Sequence, residues 1–77
     1  MNDLEPGSVR HTVLVYAVSE PGQWTTDAIA EDLPSESLAE IELATADLIE
    51  WGYMHVNSFD RRLWPLRAGR QAIAAAV

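Results

Sequence analysis

SLAEIELATADLIEWGYM, residues 37–54, carries the signals for a helix, for both of its ends and for the strand that follows. Ser37 with Glu40 three residues on forms a capping box, which satisfies orphan backbone N–H groups at a helix start. Apolar side chains recur at Leu38, Ile41, Ala44 with Thr45, and Leu48, the rhythm of a helix with one buried face. Gly52 stands where a left-handed residue ends a helix at little cost. Tyr53, Met54, His55 and Val56 then favour a pleated strand, being largely aromatic or β-branched.

Upstream, Met1 to Gly7 is polar and contains Pro6-Gly7, so residues 1–7 are expected to be a flexible arm. Residues 8–77 are expected to form one domain. Ser8 can cap a helix over Val9–Ser19, and Val9, Val13, Tyr16 and Ala17 would cover a broad face with Leu14 and Val18. The run Val-Leu-Val-Tyr is also rich in strand formers, so a strand is the alternative. The cap at Ser8 and the stop at Glu20-Pro21-Gly22 favour the helix. Gln23 to Thr25 reads as a short extended segment. Thr25 or Thr26 then caps a second helix, Asp27 to Leu33, buried through Ala28, Ile29 and Leu33. Pro34 ends it, because proline disfavours helical backbone in the residue before it. Two helices joined by so few residues make a helix-turn-helix.

Downstream of Gly52, the turn formers of Asn57-Ser58-Phe59-Asp60 join two strands, the second over Arg61 to Trp64. Pro65 ends that strand. Leu66 to Val77 reads as a last helix, with Ala68, Ala72, Ile73 and Ala76 inward and Gly69 weakening it slightly.

The chain has 77 residues and a net charge of −7. It has no cysteine, which excludes a disulfide framework and any Cys-based zinc site. No apolar run approaches the length of a membrane span. The N-terminus lacks the basic and apolar regions of a signal peptide, so the expected compartment is the cytoplasm. Charge is laid out unevenly. Residues 11–60 hold ten acids and no Lys or Arg, whereas residues 61–77 hold four arginines and no acid. Such a layout suits a basic partner, or repels nucleic acid from the acidic part. A lysine-poor, acid-decorated surface could equally be a property of the genome.

The order helix, short strand, helix-turn-helix, two-stranded wing, helix resembles the winged helix-turn-helix superfamily. TTDAIAEDL (25–33) looks like the second helix of MarR-type regulators. LIEWGYMHV (48–56) looks like the passage from their recognition helix into the wing, and LWPLRAGRQAIAA (63–75) resembles their end-of-wing segment. The resemblance implies a mainly α fold with a small antiparallel β-sheet, in the order α-β-α-α-β-β-α. It also implies that the third helix enters the DNA major groove while the wing meets backbone or minor groove. Two departures bear on that function. Arg67 stands where those proteins often carry a threonine cap, and the third helix has none of their basic or amide side chains.

That third helix instead presents Glu36, Glu40, Glu42, Asp47 and Glu50. Duplex affinity comes largely from neutralising phosphates, so this array is expected to bind DNA weakly or not at all. Ala39, Leu43 and Ala46 fall three to four residues apart, away from the core face. With Glu40, Glu42, Asp47 and Glu50 around them they form an apolar stripe with an acidic rim, suited to a basic or nucleic-acid-binding protein. The leading expectation is therefore a small regulatory module whose third helix binds protein. One alternative is a transcription regulator, as monomer or homodimer, that holds DNA through Arg61, Arg62, Arg67 and Arg70, with Phe59 at the hairpin tip as a further contact. Another is a phage-type inhibitor or DNA mimic whose carboxylates stand in for phosphates. The bland alternative is that the arginines pair with the protein's own acids.

Enzyme chemistry has little support in the sequence. His11 and His55 have no ligand spacing, and no glycine-rich phosphate loop or nucleophile elbow occurs. No catalytic residue, metal ligand or cofactor is expected. Trp24 and Trp64 are expected to belong to the small sheet and pack over the helices, and Trp51 to belong to core or interface.

Overall fold

The computed structural model describes residues 4–75. Four helices and one hairpin occur in the order α1 (Val9–Ser19), α2 (Thr26–Asp32), α3 (Leu38–Glu50), β1 (Met54–Val56), β2 (Leu63–Pro65) and α4 (Arg67–Ala75). The fold is mainly helical with a two-stranded antiparallel sheet. Among the described residues of the expected 1–7 arm, Leu4 is half-buried against the core, and the Ser8 N–H donates to the Glu5 carbonyl at 3.0 Å.

Each of the first three helices starts on the expected type of side-chain cap. The Ser8 hydroxyl accepts from His11 N–H, the Thr25 hydroxyl from Ala28 N–H and the Ser37 hydroxyl from Glu40 N–H, each at 3.1 Å. Among the described residues only the serine half of the capping box is formed. The alternative strand over Val13–Tyr16 is thus displaced by helix, with Val13, Leu14 and Ala17 fully buried. Helix α3 ends as Gly52 predicts. Its φ is 78°, its N–H donates to Ile49 O at 3.0 Å, and Tyr53 N–H donates to Leu48 O at 2.9 Å. These are the two bonds of a Schellman motif.

The core gathers Val13, Leu14 and Ala17 from α1, Ile29 from α2, Ile41, Ala44 and Leu48 from α3, and Met54 and Leu63 from the hairpin. The buried face of α3 is the one its periodicity marks except at Leu38, which is exposed at the first turn, and Thr45 donates its hydroxyl proton to Ile41 O at 2.8 Å. Each fully buried aliphatic side chain of this set contributes roughly 1.5–3 kcal/mol.

Four expectations are corrected. Among the described residues no strand precedes α2. Gln23 to Thr25 runs beside β2 but bonds only one of its residues, through Gly22 N–H to Leu63 O at 2.9 Å and Leu63 N–H to Trp24 O at 2.8 Å. The backbone then turns so that Thr25 can cap α2, which ends any ladder. The second strand begins at Leu63 instead of Arg61, because Arg61 has φ 64° and belongs to the turn. Trp64 belongs to the sheet, as expected, but stays out of the core that the sheet forms with the helices. The strand alternation buries Leu63 and Pro65 and sends Trp64 outward, 41% exposed, over Gly22. The inner side of α4 is Gly69, Ala72 and Ile73, while Ala68 is exposed. Ala76, also expected inward, lies outside the described residues.

Gly69 is more than a weak point in α4. A Cβ there would overlap the Tyr53 carbonyl and come within 3.2 Å of Leu14 Cδ1. The same carbonyl accepts from Leu66 N–H at 2.9 Å, so the start of α4 rests directly on the entry to β1.

Candidate functional site

Helix α3 is anchored by Ile41, Ala44, Thr45 and Leu48, and the opposite side is therefore fixed outward. At 100° per residue that outer line is Ala39, Leu43, Ala46 and Glu50. All four are exposed, Leu43 to 66%. Glu40 and Asp47 lie on the flank toward α1, and Glu42 lies on the flank toward the hairpin. The seven side chains singled out on α3 therefore share one surface of the molecule.

Their charges are not equivalent. The Arg10 guanidinium donates from Nε to Asp47 Oδ2 at 2.8 Å, and its second nitrogen lies 2.6 Å from the same oxygen. It also sits 5.3 Å from the centre of the half-buried Trp51 ring. Asp47 is thus neutralised by a residue that sequence reasoning left out of the site. Glu40, Glu42 and Glu50 have no ion-pair partner among the described residues.

Two shallow grooves flank α3. One of about 270 Å³ is lined by Val9, Arg10, Glu40, Leu43, Ala44 and Asp47. The other, about 180 Å³, lies between α3 and the hairpin, where Glu42 and Ala46 face Val56 and Arg61. Val9 and Arg10 were missed as lining residues because no local spacing joins them to α3.

The hairpin tip is held by Asn57. Its side-chain oxygen accepts from Phe59 N–H at 2.8 Å, and its backbone N–H donates to Arg62 O at 2.9 Å. This turn leaves Phe59 98% exposed. Arg62 donates to Gly22 O at 3.2 Å and lies 3.9 Å from Asp60. Among the described residues Arg61, Arg67 and Arg70 form no ion pair, so of the four arginines expected to cancel against the protein's own acids only Arg62 does, and weakly. Arg61 and Arg62 lie at the hairpin, whereas Arg67 and Arg70 sit in the first turns of α4.

Elsewhere, the Tyr16 hydroxyl donates to Asp32, and its pKa is raised above 10.0 by that bond first, then by burial and by the carboxylate charge. Trp24 meets the Tyr16 ring edge-on at 4.6 Å and donates its indole N–H to Glu20 at 2.9 Å. This cluster ties α1 to α2. Among the described residues no three His, Asp or Glu side chains converge as a metal site would require, and no helix is long and apolar enough to cross a membrane. No family model, curated protein or solved structure matches this chain.

Proposed function

We propose that this chain is a winged-helix regulatory module whose third helix docks protein in place of DNA bases. The winged-helix reading is supported by the helix-turn-helix of α2 and α3, by the hairpin that follows, and by the Gly22–Trp24 segment bonded to Leu63. The docking reading rests on one observation. Leu43, 66% exposed, stands on a line of small apolar residues, with three carboxylates around it, Glu40, Glu42 and Glu50, that have no ion-pair partner among the described residues. An apolar centre with a charged rim is the anatomy of a protein interface. The same carboxylates repel a phosphate-lined groove. The matching partner surface is apolar at its centre and basic at its rim.

Enrichment from cell lysate with wild-type and Leu43→Arg baits tests this reading. A basic protein recovered by wild type and lost by the variant is the expected result. Identical recoveries would remove α3 as the docking surface.

A second reading is favoured by the hairpin. Arg61 has no ion-pair partner among the described residues and Phe59, two positions earlier, is exposed, so the wing could grip a phosphate backbone while α3 stays clear of the groove.

A further inference from the structure

The groove on the α1 side of α3 and the hairpin tip carry opposite net charge, and the groove has room for an aromatic ring. The groove is lined by the apolar Val9, Leu43 and Ala44, by the Arg10–Asp47 ion pair, and by Glu40, whose carboxylate has no ion-pair partner among the described residues, so its net charge is negative. Its volume of about 270 Å³ exceeds the roughly 150 Å³ of an apolar cavity known to accept benzene. The tip offers a benzyl side chain, Phe59, next but one to Arg61, whose guanidinium has no ion-pair partner among the described residues. Within one copy the two do not meet, since Phe59 is 98% exposed.

We propose that two copies of this chain associate head to tail, the Phe59 ring of one seated between Val9 and Leu43 of the other. Arg61 of the first copy then pairs with Glu40 of the second. The proposal rests on reading the α3 surface as a protein-docking face, and it names the partner as a second copy. Charge favours that choice. The acids of α3 suit a cationic partner, and the hairpin sets Arg61 and Arg62 against the single acid Asp60, close to an aromatic anchor. Aromatic side chains entering a pocket supply much of the energy of small interfaces. The net charge of −7 opposes the approach of two copies, but at physiological ionic strength that repulsion is screened beyond about 8 Å. The contact joins two different surfaces, so it is heterologous.

That asymmetry supplies the test. Sedimentation of the full chain over a concentration series at physiological ionic strength should show a mass rising above the monomer. Phe59→Asp and Leu43→Arg should each weaken association roughly tenfold or more. An equimolar mixture of the two variants should regain a 1:1 complex, because one keeps the groove and the other keeps the tip. Both side chains are exposed, and circular dichroism melts check that both variants stay folded. A wild type that remains monomeric, or a mixture that does, overturns the proposal. Association lost in Leu43→Arg but untouched in Phe59→Asp overturns the hairpin contact and leaves the α3 docking face standing. A re-formed complex together with lysate recoveries that ignore Leu43 supports self-association and removes a foreign partner.

Discussion

At position 69 the lack of a side chain lets α4 meet the hairpin. A methyl group there would collide with the Tyr53 carbonyl, which is backbone and already committed to Leu66 N–H. Neither can move without disturbing both elements. Gly69→Ala is therefore expected to lower stability by about 1–3 kcal/mol, as overpacked cores do. Gly52→Ala costs something for a different reason. Nothing lies within 4 Å of a Cβ there, but φ is 78°, so the loss is the left-handed strain of about 1–2 kcal/mol. The two mechanisms separate in a second substitution. Asn tolerates left-handed backbone and should recover part of the loss at position 52, whereas at 69 it should be worse than Ala. Urea unfolding of the four variants measures both differences. The sequence shows both glycines, but only position 52 carries a local reason for one. Position 69 sits inside a helix, where glycine reads as a defect.

The elements show how far local signals reach. Ser8, Thr25 and Ser37 each cap the helix that follows, since a cap bond spans only three residues. The Schellman end of α3 is equally local. The strand bounds were less legible, because Arg61 holds a left-handed turn position that residue type does not announce. The tie between α1 and α2 depends on proximity too. Tyr16 donates to Asp32 across 16 positions, and that bond holds the phenol proton above its ordinary 10.0. The unfolded chain releases the proton near 10.0 while the folded chain keeps it to higher pH. This contribution is therefore complete below 10.0 and is lost as pH climbs through the folded value. Urea midpoints should fall on that alkaline limb in wild type, and the fall should be shallower in Tyr16→Phe. Equal slopes would mean that the bond does not persist in solution.

For the whole molecule the deciding feature is where charge ends up. The acids of α3 stay outward and, apart from Asp47, without an ion-pair partner among the described residues, and the same holds of Arg61, Arg67 and Arg70 on other elements. A duplex gripped by the hairpin would bind through phosphate contacts, so its affinity would fall steeply with salt. In fluorescence anisotropy at low salt, wild type is expected to bind duplex DNA weakly at most. Tight, salt-sensitive binding abolished by Arg61→Ala with Arg62→Ala would instead favour the second reading, with the hairpin as the DNA contact.

From the residue string alone came the four helices, the turn between α2 and α3, the hairpin and the outward stripe of Ala39, Leu43 and Ala46. All of these follow from spacings of two to four residues, which backbone geometry converts directly into faces and ends. Only the folded chain decided that Arg10 neutralises Asp47 across 37 positions, that Arg62 reaches Gly22 across 40, and that Gly69 is a contact point. Those pairings depend on how α1, α3 and the hairpin pack around one core, and no spacing along the chain encodes that distance.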